Sequence, residues 1–122
     1  MKNLPFPNLP FKKREQKPRN KGINYVRAPV MVGQCITDYL EAYGDLVDIF
    51  KLSGKQAAMM STSSLKEFIS TCRKYEVLVA VGNPVMDIAL SGGTEVVNEF
   101  LESAREYGVD IIEISSIARV ID

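Results

Sequence analysis

Tyr43, Tyr75 and Tyr107 stand 32 residues apart, and each is followed within a few positions by a run of aliphatic residues. A fixed period of this size means that one supersecondary unit is repeated, which restricts the fold more than any single motif does. The segments Val47-Asp48-Ile49-Phe50-Lys51 and Val109-Asp110-Ile111-Ile112-Glu113 fall at matching points of the repeat and nearly coincide. Each carries one long polar residue at its C-terminal end. Period and register therefore repeat together.

The hydrophobic pattern fills in the unit. Ile23 to Arg27 alternates as a short strand that Ala28-Pro29 halts. Ile36, Tyr39, Leu40 and Tyr43 share one helical face, and Gly44 is predicted to close that helix in a left-handed conformation. A second strand spans Val47 to Leu52. Leu65, Phe68, Ile69 and Cys72 define the next helix, with Ser64-x-x-Glu67 as its expected capping box. Val77 to Val81 is a buried strand. A short helix runs around Val85 to Leu90, and Thr94 is expected to cap a helix facing inward through Val97, Phe100, Leu101 and Ala104. Gly108 closes it, and Val109 to Ile114 is the fourth strand.

The order βαβαβαβ with units of about 30 residues predicts the α/β class: a TIM-barrel-type parallel βα repeat, about the first half of a (β/α)8 barrel. A small open sheet complete in itself is the alternative. Two segments follow: 1–21, an extended basic leader, and 22–122, the half-barrel domain. At 46% apolar and 25% charged, the chain can bury one core and is not disordered.

Charge separates the segments. Residues 1–21 hold seven of the fifteen Lys and Arg and only Glu15 as an acid, while the whole chain is formally neutral. The body is therefore acidic, which argues against tracking a nucleic-acid backbone. Lys12-Lys13-Arg14 and Lys17-Pro18-Arg19 read as short solvated stretches, with a targeting signal as the less favoured reading. The prolines near the start break any signal-peptide run, and no apolar run has the length of a membrane span. A cytoplasmic protein with no membrane partner is expected.

The absence of His removes imidazole bases, Ser-His-Asp triads and His-ligated zinc. Cys35 and Cys72 sit in helical patterns without C-x-x-C spacing and are expected to be buried packing residues. Gly82-Asn83-Pro84 and Ser91-Gly92-Gly93-Thr94 match no nucleotide fingerprint and are read as turns.

In a parallel αβ architecture, chemistry gathers at the C-terminal ends of the strands. That selects Arg27, Lys51, Ser53, Asn83, Glu113 and Ser115. Such a set suits a small anionic substrate: Arg27 can grip phosphate or carboxylate through two parallel hydrogen bonds, and Lys51 can act as a point charge or proton donor. Glu113 could ligate Mg2+, which needs only one or two protein carboxylates. The competing reading makes Lys51 and Glu113 a structural ion pair and leaves Arg27 solvated.

Three blocks carry a family resemblance: Arg14-Glu15-Gln16-Lys17-Pro18-Arg19 with Gly22-Ile23, then Gly44 to Gly54, then Tyr107 to Ser115. In these the chain resembles the phosphosulfolactate synthases and the related plant heat-stress-associated proteins. The resemblance implies a (β/α)8 barrel and a lyase-type addition of sulfite to phosphoenolpyruvate with magnesium. It makes Lys51 the catalytic cation, Glu113 the metal ligand and Arg27 a substrate-binding group, while Ser53, Asn83 and Ser115 are taken as substrate-binding from their strand-end positions alone. The sequence departs from the family at Ser53-Gly54-Lys55-Gln56 after the second strand, at Ser115-Ser116 in place of Asp-Gly, and at Asn83 in place of Gly or Asp.

Strands five to eight of such a barrel have no counterpart before Asp122, so the chain is expected to be a fragment, truncated and inactive. Its open edges and apolar surface would favour a homo-oligomer. The alternative is a noncatalytic, stress-related interaction protein derived from the same barrel family.

Overall fold

The computed structural model describes residues 4–29 and 32–115. Four strands, β1 (Tyr25–Arg27), β2 (Ile49–Leu52), β3 (Leu78–Val81) and β4 (Ile111–Ile112), form one sheet in the order β1-β2-β3-β4, every pair parallel. Each new strand adds on the same side of the last. A doubly wound sheet would reverse direction at a switch point, whereas a barrel never does. The sheet thus winds as the first half of a (β/α)8 barrel winds.

Five helices make the crossovers: α1 (Gln34–Tyr43), α2 (Gln56–Met59), α3 (Thr62–Lys74), α4 (Asn83–Ser91) and α5 (Thr94–Tyr107). Among the described residues none is long and apolar enough to cross a membrane. Helix α3 packs against α1, α5 and β3, so the long helices form a layer over one sheet face. The core lies between them. Phe50, Leu52 and Val79 point into it from the strands, and Ile36, Leu40, Phe68, Ile69 and Cys72 meet them from the helices.

Register assigns the other face. Tyr25, Ile49 and Leu78 are mutual partners in one row, and Arg27, Lys51, Ala80 and Ile111 form the next. Side chains alternate along a strand, so these rows point away from the helices when Phe50 and Val79 point toward them. Tyr25 and Leu78 are each 44% exposed there.

The predicted boundaries hold to within two or three residues, and several terminal details differ. Gly44 closes α1 in a right-handed conformation, φ −55, and continues into a 3₁₀ turn, Gly44–Leu46, so no left-handed cap is needed. Gly108, at φ 91, does end α5 in the left-handed region, where a Cβ would also meet the Arg73 guanidinium at 3.0 Å. The N-cap of α3 is Ser61, whose Oγ accepts from the Ser64 amide at 3.2 Å. The helix starts one turn before the expected Ser64-x-x-Glu67 box. Thr94 is the first residue of α5, with Gly93 at the cap.

Cys72 is buried as expected, and burial pushes its thiol up to about 12. Cys35 is exposed, because it lies one position before Ile36 on α1 and so off the inward stripe.

Candidate functional site

Lys51 and Glu113 stand at the C-terminal ends of the second and fourth strands, and the fold brings their side chains together. Lys51 Nζ lies 2.8 Å from Glu113 Oε2, and each side chain keeps roughly a quarter of its surface exposed. Tyr25 Oη donates to Glu113 Oε1 at 2.6 Å. In a flat sheet three inter-strand spacings would hold β1 and β4 about 14 Å apart with side chains standing parallel. The contact closes because the sheet curves toward its open face, as a barrel wall does.

Electrostatics follow from this geometry. Burial works against the Glu113 carboxylate, but hydrogen bonds from Lys51 and Tyr25 and the nearby ammonium outweigh it and hold its pKa below the usual value. Burial, then the bond to Glu113, pushes the Tyr25 phenol upward, so it remains a donor.

The other expected residues surround this cluster. Arg27 is the register partner of Lys51 on the open face, is exposed, and has no ion pair among the described residues. Asn83 opens α4, and its Nδ2 donates to Ser115 Oγ at 2.9 Å. Ser53 Oγ is buried without a hydrogen-bond partner among the described residues. Gly82 lets α4 start against the β2 turn: a Cβ there would stand 3.1 Å from the Leu52 carbonyl and 3.2 Å from the Gly54 amide. Asn83 and Ser53 therefore share one rim.

Tyr25 was not among the expected site residues. Its signal is its position two residues before Arg27, which puts both on one face of the same strand.

A second charged cluster, also unforeseen, lies at the opposite end of the sheet. Asp48 accepts from Arg19 Nη1 at 2.7 Å, Arg14 Nη2 at 3.0 Å and the Asn24 amide at 2.8 Å. Lys17 Nζ donates to the carbonyls of Gly44, Val47 and Tyr75 at 2.8, 2.5 and 3.0 Å. Gly44 and Tyr75 end α1 and α3, so one ammonium satisfies two helix C-termini where a cation is favoured. Burial lowers the Lys17 pKa, and Asp48 partly offsets it. Arg14, Lys17 and Arg19 are thus bound to the body, whereas Lys12 and Lys13 are exposed. The expectation of solvated basic stretches holds only for the first two.

Asp48 and Asp110 also explain the repeated Val-Asp. Asp48 accepts from the Asn24 amide and Asp110 from the Val79 amide at 2.8 Å, so each aspartate ties its strand to the start of the preceding one.

Among the described residues no three acidic or Cys side chains converge as a ready metal cage. Glu113 takes donors from Lys51, Tyr25 and the Asn83 backbone, which leaves one of a carboxylate's roughly four lone-pair sites for an ion such as magnesium that takes a single protein carboxylate and completes its shell with water and substrate oxygens.

A singly wound parallel sheet with charged groups gathered at the C-terminal strand ends defines a protein of the βα-barrel class. Within that class, the model of the (2R)-phospho-3-sulfolactate synthase (ComA) family matches residues 12–121, and the chain belongs to that family. It is 26% identical over 106 residues to "Protein HEAT-STRESS-ASSOCIATED 32" of Arabidopsis thaliana, covering 84% of this chain and 37% of that one. It is 28% identical over 103 residues to a phosphosulfolactate synthase of Methanothermobacter thermautotrophicus, covering 84% of this chain and 39% of that one. The chain therefore spans well under half the length of either relative.

Proposed function

We propose that the protein carries the strand-end half-site of a phosphosulfolactate-synthase-like lyase, acting in the cytoplasm on phosphoenolpyruvate and sulfite. The observation that carries this reading is the Lys51–Glu113–Tyr25 cluster beside exposed Arg27, at the end of the sheet where barrel chemistry sits. In the reaction, the sulfur lone pair of sulfite forms a C–S bond to the methylene carbon of phosphoenolpyruvate. The alkene pair moves to the neighbouring carbon, where the substrate carboxylate delocalises it, and that carbon then takes a proton.

Each residue has a part in this. Arg27 would hold the phosphate or carboxylate in two parallel hydrogen bonds. Lys51 would neutralise the developing carboxylate charge and give the proton from Nζ, with Glu113 orienting it in the free protein. Asn83, Ser53 and Ser115 would line the substrate rim. Glu113 would hold magnesium, which when bound supplies further charge neutralisation.

A second reading has an observation of its own. Lys51, Glu113 and Tyr25 satisfy one another without any ligand, as a structural brace in a noncatalytic, stress-related interaction protein would. Sulfite-dependent loss of phosphoenolpyruvate, followed by phosphorus NMR with magnesium present, separates the two. Turnover that Lys51→Ala abolishes, with phosphoenolpyruvate still bound, supports the lyase. A protein that neither binds phosphoenolpyruvate nor consumes it supports the brace.

A further inference from the structure

The leader carries an internal repeat that the sheet and helices do not use. Asn3-Leu4-Pro5-Phe6 returns unchanged as Asn8-Leu9-Pro10-Phe11, with Pro7 between the copies. The family match begins at residue 12, so both copies lie outside the fold that the family shares. Their apolar side chains face solvent: Leu4, Phe6, Leu9 and Phe11 are 60%, 69%, 50% and 74% exposed. A single exposed apolar residue is ordinary, but two identical sets within one short segment point to recognition.

The backbone that carries them is bent in advance. The Phe6 carbonyl accepts from the Leu9 amide at 3.3 Å, which makes Phe6-Pro7-Asn8-Leu9 a β-turn with Pro7 at the position where a fixed φ favours the bend. The Leu9 carbonyl accepts from the Phe11 amide at 2.8 Å and closes a three-residue turn on Pro10. Each copy thus sets a Leu and a Phe on either side of a proline, with little freedom left to lose on binding. Arg14, three residues beyond Phe11, is tied to the body through the Asp45 and Gly22 carbonyls and Asp48, so the repeat is displayed from a fixed point.

The chemistry of the segment says what would take it. Pro5, Pro7 and Pro10 lack amide hydrogens and prevent a helix, so most of its carbonyls need donors from elsewhere. Hydrocarbon supplies none, and the amphipathic helix with which a chain lies on a bilayer is closed to this sequence. A groove in another protein supplies donors and apolar pockets together, as grooves that read proline-rich segments do. Identical copies imply like pockets. Equivalent atoms are five residues apart, which sets those pockets at most about 18 Å from each other. Lys12 and Lys13 follow directly, are exposed and have no ion pair among the described residues, which suits an acidic rim.

We propose that residues 4–13 are a docking segment for a partner protein, whose acid-rimmed groove takes one Leu-Pro-Phe unit in each of two like apolar pockets. This docking does not depend on which chemistry the strand ends perform.

The test places a photoreactive benzophenone side chain at Phe6 or at Phe11 of the intact chain, in the cells that make it. The expected result is one protein adduct, the same from both positions. That protein, once purified, should bind the intact chain one to one in calorimetry. Phe6→Ala and Phe11→Ala should each weaken binding about 30-fold, as loss of a buried anchor does. A peptide of residues 4–13 should compete, and Lys12→Gln with Lys13→Gln should flatten the salt dependence. Both phenylalanines are exposed, so every variant should keep its melting temperature. Adducts confined to this chain or to another copy of it, different adducts from the two positions, no adduct, or an affinity indifferent to both Phe substitutions overturns the proposal. Binding instead to vesicles of phosphatidylcholine and phosphatidylserine, lost in the same two variants, overturns it in favour of a lipid surface.

Discussion

Asp48 shows how much one side chain can hold together when its partners come from elsewhere in the sequence. Its side chain and that of Arg19 are 9% and 7% exposed, so removing the charge leaves a buried guanidinium uncompensated. Asp48→Asn should therefore cost about 3 kcal/mol at neutral pH, read from urea unfolding. The pH dependence has a definite sign. Burial opposes the Asp48 charge, but the Asn24 amide and the two guanidinium groups prevail and its pKa lies below normal when folded. The unfolded chain thus takes up the proton first, so this stability is fully present above about pH 4 and is lost as the pH falls below it. Glu113 acts in the same direction. The acid limb of the stability curve should be shallower in Asp48→Asn, without vanishing. Lys51 and Glu113 were legible in the sequence because they end strands at matching points of the repeat. Asp48 was not, because its partners Arg19 and Arg14 lie 29 and 34 residues away in a segment without periodicity.

The helices and strands were legible to the extent that packing governs them. Leu65, Phe68, Ile69 and Cys72 face the core as their spacing requires, and Val79, Ala80 and Val81 are buried on both faces as a continuous apolar run implies. The ends were less so, since several serines compete for one cap. Ser61, Ser63 and Ser64 all precede the apolar run, and Ser61 wins because its Oγ reaches the Ser64 amide. Ser61→Ala should lower stability by about 1 kcal/mol, whereas Glu67→Ala, outside the cap, should leave thermal unfolding almost unchanged. Equal effects would mean that the helix starts at Ser64 after all. The helix α2 was missed because four residues make a single turn, too short for a 3.6-residue period to register.

For the molecule as a whole, the consequential feature is that the leader closes the end of the sheet opposite the candidate site. The opposite charges of leader and body were visible in the composition, but not that Arg14, Lys17 and Arg19 each find a fixed partner. Composition reports totals, whereas docking depends on where α1, α3 and β2 end. Pro18 and Arg19 line a cleft with Ile23, Ile49 and Leu78, so the leader also forms one wall of the N-terminal rim. A solvated tail could be removed at no cost. Deleting residues 1–21 should instead strip the cations from Asp48 and from the carbonyls of Gly44, Val47 and Tyr75. The loss should exceed the roughly 3 kcal/mol assigned to one uncompensated buried charge and appear as a lower melting temperature. Lys17→Met should reproduce part of that loss, since it removes an ammonium that touches both helix ends while leaving the Asp48 contacts in place. If the deletion melts where the intact chain does, the leader is a passenger, and the three carbonyls are satisfied as well by water.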